Sequence, residues 1–130
     1  MTDLNLEATS RTPAVTLDHD GNLLVIAGES YPEDVGGFYA ALTTALGDYF
    51  AGGATALTTR IKLTYFNSST ARALMELLDL LDDAAEQGAT VTVEWFCDPD
   101  DDITREFAED IAAEVSHAAV TILDLDAAQN

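Results

Sequence analysis

The stretch Thr59-Arg60-Ile61-Lys62-Leu63-Thr64-Tyr65-Phe66-Asn67-Ser68-Ser69-Thr70-Ala71-Arg72-Ala73-Leu74 changes its period partway along. From Thr59 to Phe66 the pattern alternates. Ile61, Leu63 and Tyr65 lie on one side and Arg60, Lys62, Thr64 and Phe66 on the other, as in a strand. Beyond the four polar residues Asn67 to Thr70, the positions Leu74, Leu77, Leu78, Leu81 and Ala85 share one face of a helix predicted from Ser69 to Gln87, with Gly88 as its stop. Glu76, Asp79, Asp83 and Glu86 give that helix an acidic outer face. A strand that turns directly into an amphipathic helix is the repeating unit of α/β domains.

The same patterns extend both ways. Upstream, Pro13–Leu17 and Leu23–Ala27 are predicted strands around the turn His19-Asp20-Gly21-Asn22. Gly28-Glu29-Ser30-Tyr31-Pro32 breaks the second strand, and a helix is predicted from Pro32 to Gly52-Gly53 with Phe38, Leu42, Leu46 and Phe50 as its buried stripe. Downstream, Ala89–Phe96 is a strand, and an acidic loop leads into a helix over Ile103–Val115 with the stripe Ile103, Phe107 and Ile111. Val120–Leu123 is a last strand. The order predicts an α/β fold: a single domain with a mixed sheet of about five strands packed against about three helices. Residues 1–12 are expected to be a flexible arm, 13–125 the domain and 126–130 a short tail.

Charge bounds the partners. Twenty-four acids against five bases give a formal charge of −19. Such a surface repels nucleic acid and anionic headgroups, so neither is an expected partner. Solubility or a salty cytoplasm accounts for the acidity on one view, and a partner with a basic docking surface on another. No apolar run is long enough to span a membrane, and the start Met1-Thr2-Asp3-Leu4-Asn5 lacks the features of a signal peptide. Cys97 is the only cysteine, so no internal disulfide forms. A cytoplasmic protein without membrane insertion is expected.

Catalytic and metal constellations are hard to assemble. Neither His19 nor His117 has a cysteine or second histidine at metal-ligand spacing, and neither is placed by sequence beside Ser68 or Ser69 for a triad. Asp98, Asp100 and Asp102 alternate as in a calcium loop, but Ile103 stands where the sharp turn needs glycine. An acidic helix start explains those residues instead. No metal, no cofactor and no enzymatic activity are expected.

What remains is the turn Asn67-Ser68-Ser69-Thr70. One residue suffices to cap a helix, and here four polar residues occur in a row. A phosphate on Ser68 would add about −1.5 to −2 charges, which a helix N-terminus tolerates. Arg60, Lys62 and Arg72 all lie in this strand-turn-helix unit, so the turn is expected to sit in the least acidic part of the surface.

These motifs together resemble the SiaC family of bacterial regulatory phosphoproteins. The resemblance rests on Thr12-Pro13, on Gly28-Glu29-Ser30-Tyr31-Pro32-Glu33-Asp34, on Tyr65-Phe66-Asn67-Ser68-Ser69 leading to Leu77-Leu78-Asp79-Leu80-Leu81, and on Val93-Glu94-Trp95 with the acidic run to Asp102. It implies a STAS-like fold without catalysis. It implies phosphorylation of Ser68 by a serine/threonine protein kinase, with Ser69 and Thr70 as backup sites, and removal by a PP2C-type phosphatase. The family pattern usually has threonine after the asparagine, where this chain has Ser68. It further implies that the unphosphorylated form binds and activates a diguanylate cyclase, raising cyclic-di-GMP and promoting biofilm formation. The implied partner-binding residues are Tyr31, Glu33, Tyr65, Asn67, Ser68, Ser69 and Arg72. A second class of function also fits: an anti-sigma-factor-antagonist-type regulator that binds a partner kinase and controls transcription.

Overall fold

The alternation centred on Ile61 and Leu63 forms one of the two middle strands of a six-stranded sheet. The structure is a computed structural model that describes residues 4–125. Its elements in chain order are β1 (Leu4–Leu6), β2 (Ala14–Asp18), β3 (Leu23–Ser30), α1 (Val35–Ala51), β4 (Ala56–Phe66), α2 (Ser68–Glu86), β5 (Thr90–Cys97), α3 (Asp102–Glu114) and β6 (Ala119–Asp124). The strands lie side by side in sequence order. β1–β2 and β2–β3 pair antiparallel, whereas β3–β4, β4–β5 and β5–β6 pair parallel. Each parallel pair is joined by a helix, as a parallel connection requires.

One face of the sheet is buried. Val15, Leu17, Leu24, Ile26, Leu57, Ile61, Leu63, Val91, Val93 and Trp95 form a single core with residues of all three helices, chiefly Leu42 and Leu46, the α2 leucines, and Ala108 and Ile111. The opposite face stays open. The register aligns Thr16, Val25, Arg60, Glu94 and Thr121 across five strands, and all five keep solvent exposure. The fold is therefore a two-layer α/β arrangement, with a mixed sheet as predicted and one strand more.

The extra strand is β1, inside the stretch expected to be an arm. Three residues are too few to show a period, but Leu4 and Leu6 pair with Leu17 and Val15 and pack against the core. Residues 126–130, expected to be a tail, lie outside the described residues. α1 starts at Val35 rather than Pro32, because the Asp34 side chain caps it by accepting from the Gly37 N–H. Its buried stripe is Tyr39, Leu42, Leu46 and Tyr49, not the predicted set with Phe38 and Phe50. Steps of four overshoot the helical turn of about 3.6 residues, so Phe38 and Phe50 drift to the flanks of the stripe. In α3 the core residues are Ala108 and Ile111, with Phe107 partly buried, and Ile103 is 83% exposed rather than in the core.

Candidate functional site

A register shift between Gly28 and Glu29 builds the site. Gly28 pairs with Leu63, but Glu29 pairs with Tyr65, leaving Thr64 as an extra residue in β4. Such a bulge flips the alternation beyond it. Tyr65, expected to share a face with Ile61 and Leu63, is instead 54% exposed and meets the Tyr31 ring edge-on at 5.7 Å. Phe66 turns to the helix side and packs on Phe107 at 5.6 Å.

The chain then enters α2. Asn67 is the N-cap, and its Oδ1 accepts from the Thr70 N–H at 2.9 Å. Ser68 is the first helical residue, and both Ser68 and Ser69 are exposed. Their N–H groups belong to the first helical turn, which has no acceptors within the helix. Thr70 differs. It is completely buried, and its hydroxyl donates to the Ser30 carbonyl at 3.0 Å and lies 3.0 Å from Ser30 Oγ. Ser30 Oγ in turn lies 2.8 Å from the Tyr39 hydroxyl, whose pKa is raised by burial. This hydroxyl chain ties β3, α1 and α2 together beneath the turn. Of the three hydroxyls expected as modification sites, that of Thr70 is thus committed in the core, whereas those of Ser68 and Ser69 belong to exposed residues.

Of the other expected contact residues, Arg72 is exposed one helical turn after Ser68, on the same side of α2. Glu33 pairs on the surface with Arg11 at 2.6 Å, and the Arg11 carbonyl accepts from the Tyr31 N–H. Tyr31, Tyr65, Asn67, Ser68 and Ser69 all gather at the C-terminal ends of β3 and β4, where open α/β sheets place their binding crevices. Arg60 and Lys62 do not join them. They project from the open sheet face, where Arg60 pairs with Glu94 at 2.8 Å and Lys62 lies over the Phe96 ring. The positive charge expected around Ser68 thus reduces to Arg72 and the helix N-terminus.

Ser68 also lines a depression of about 220 Å³ with Phe66, Asn67, Ala71, Ile103, Thr104 and Phe107. Two features of this site escaped the sequence reading. Ser30 looked like part of a strand break, and Ile103 looked like core. The signal for Ser30 was present in the Gly-Glu-Ser-Tyr-Pro motif. For Ile103 it was its place one residue after the helix start, before the helix reaches the sheet.

The remaining titratable groups lie elsewhere or serve the fold. His19 sits in the β2–β3 turn against Tyr49, and His117 precedes β6 beside Glu86. Both are at the N-terminal edge of the parallel strands, opposite to Ser68. Cys97 is buried, which pushes its thiol pKa up. In the acidic loop, Asp101 caps α3 through Thr104, and Asp98 accepts from the Asp100 N–H.

The comparisons with known proteins agree with this fold. The SiaC family of regulatory phosphoproteins matches residues 6–125. An uncharacterized protein of Pseudomonas aeruginosa (strain UCBPP-PA14) is 31% identical over 116 residues, covering 89% of this chain and 92% of that protein. The crystal structure of apo-SiaC from Pseudomonas aeruginosa superposes with a TM-score of 0.87 at 30% identity, over 95% of this chain and 99% of that one. SiaC from the same organism, in the crystal structure of the diguanylate cyclase SiaD in complex with its activator SiaC, superposes with a TM-score of 0.84 at 30% identity, over 92% and 99%. The chain belongs to the SiaC family of regulatory phosphoproteins.

Proposed function

We propose that this protein is a non-catalytic phospho-switch. Its unphosphorylated form binds and activates a diguanylate cyclase, and phosphorylation of Ser68 by a serine/threonine protein kinase turns that binding off. A PP2C-type phosphatase resets it, in the cytoplasm, and the output is cyclic-di-GMP. The observation that carries the proposal is the placement of Ser68: exposed, first in α2, with its neighbour Thr70 anchored in the core. Similarity to a SiaC whose crystal structure contains a diguanylate cyclase supports the choice of partner.

The physics of the switch is local. A phosphate on Ser68 meets the free N–H groups and positive end of α2, so the helix accommodates it. A partner seated on Tyr31, Glu33, Tyr65, Asn67, Ser69 and Arg72 would have to cover that dianion and strip its water, which is costly unless the charge is paired. The fold survives modification while the interface does not.

Incubation with the cognate kinase followed by phosphopeptide mapping tests the site. Phosphate is expected on Ser68. Phosphate mainly on Ser69 would move the switch by one residue. Phosphate mainly on Thr70 would contradict the account, because the hydroxyl chain to Ser30 would have to open first.

A further inference from the structure

A hollow of about 450 Å³ opens at the opposite end of the sheet from Ser68, between the last turns of α1 and α2 and the loops that follow them. That volume falls within the roughly 300–1,000 Å³ range of ligand sites. Phe50, Ala51, Ala54, Ala84 and Ala89 give it apolar walls, and Gln87 also lines it. The 11 residues of β4, at about 3.3 Å each, separate it from Ser68 by about 35 Å, several screening lengths at physiological salt.

Two negative helix ends meet at this hollow. A cation in the last turn would offset such an end, and neither α1 nor α2 has one. Acids stand there instead. Asp48 lies one turn before Ala51, Asp83 lies one turn before Gln87, and Glu86 adjoins Gln87; all three are exposed. The N–H groups of Gly52, Gly53, Gln87, Gly88 and Ala89 are spent on helix carbonyls, so these turns keep no donor for an anion. All five Lys and Arg residues lie elsewhere: Arg11 beside Glu33, Arg60 and Lys62 on the open sheet face, Arg72 and Arg105 near the starts of α2 and α3. The basic groups at this end are His19, against Tyr49, and His117, beside Glu86. Asp18 and Asp20 at the β2–β3 turn and Glu114 at the end of α3 add further acids, while Asp82 is spent on the N–H groups of 116–118. Carboxylates at helix C-termini lower stability, so the fold alone does not account for them. We infer that the hollow docks a basic segment of a partner protein. The stem of one arginine or lysine lies on Phe50 and Ala84, with its charged head between Asp48 and Asp83. The exposed row Asp79, Asp83 and Glu86, about 10 Å along α2, takes the next basic residues of the segment. A small amine would leave most of that row unpaired. The site is independent of Ser68, so one chain can hold a protein at each end of its sheet.

Titration of the full chain with a basic peptide tests this, at about pH 7.5 and about 0.15 M salt, followed by amide chemical shifts. The peptide has about eight residues, blocked ends, and arginines alternating with alanines and serines. It is expected to shift residues 48–55 and 79–90. The same peptide with citrulline for arginine keeps the shape without the charge and is expected not to bind. The double variant Asp48→Lys with Asp83→Lys is expected to weaken the arginine peptide by about tenfold or more, as removal of a docking charge does. That variant is also expected to melt a few degrees higher, because lysines suit helix C-termini, so its loss of binding is not a loss of fold. Glu109→Lys with Asp110→Lys changes the net charge equally at exposed positions of α3 and is expected to bind like the parent. No binding, shifts centred elsewhere, binding of the citrulline peptide, or equal loss in both double variants would each overturn the inference. Spermidine shifting the same residues as tightly as the peptide would also overturn it, in favour of a small amine. A dimer of the parent chain that Asp48→Lys with Asp83→Lys abolishes would overturn it in favour of a second copy.

Discussion

Among the described residues two threonines are completely buried, Thr59 in β4 and Thr70 in α2, and they should respond oppositely to the same change. The Thr59 hydroxyl has no hydrogen-bond partner among the described residues, whereas that of Thr70 serves Ser30 twice. A buried polar group left unpaired costs about 1–3 kcal/mol. Thr59→Val removes such a group with little change of shape and is expected to raise the melting temperature by a few degrees. Thr70→Val strands Ser30 and is expected to lower stability by about 1–3 kcal/mol. Thermal and urea unfolding of the two variants check this, and equal signs would contradict it. The role of Thr70 was legible in part. It lies four residues before Leu74, so the core stripe of α2, extended back one turn, ends on it. Read as one of several hydroxyls in a turn, it looked instead like a target for modification.

At the scale of elements, α2 is fastened to the start of β6 by one side chain. The Asp82 carboxylate accepts the backbone N–H groups of Ser116, His117 and Ala118 at 3.2, 2.7 and 2.9 Å. Those bonds, that from Ala118 first, hold its pKa below the ordinary carboxylate value of 3.8. A group whose folded pKa is depressed contributes fully above its unfolded pKa and loses that contribution as pH falls through the folded one. Asp82→Asn should therefore be less stable than the parent chain at neutral pH, and the gap should close as pH drops below about 4. Urea melts of both proteins across that range measure it, and a gap that stays constant would refute the charge-based account. Elements with a sustained period, such as α2, β4 and β5, were legible because burial of one face imposes the period. The bulge at Thr64 was not, because one inserted residue depends on pairing with β3. Strand β1 was not, because its three residues take their order from β2. Hence Tyr65, the residue most affected by the bulge, was placed on the wrong side, while Asn67 and Ser68 just beyond it were placed correctly at the helix start.

The whole molecule carries a formal charge of −19. Among the described residues, three of its five cations are engaged in ion pairs: Arg11 with Glu33, Arg60 with Glu94 and Arg105 with Asp124. Exposed pairs of this kind contribute little, whereas unbalanced like charge acts against the compact state. Raising salt from about 20 mM to about 0.5 M shortens the screening length severalfold and should raise the melting temperature. A fall would mean that the ion pairs outweigh the repulsion. Ser68 is informative as a switch because Arg72 and the positive end of α2 stand beside it in an otherwise acidic molecule, with Glu33 and the Asp98–Asp102 loop at the same end of the sheet. The most direct test of the central claim is calorimetric titration of a candidate diguanylate cyclase with the Ser68→Ala and Ser68→Asp chains. The account predicts that Ser68→Ala binds like the unmodified protein and that Ser68→Asp binds more weakly, its single charge reproducing part of the effect of a phosphate. Tight binding by Ser68→Asp together with loss of binding by Ser68→Ala would contradict it.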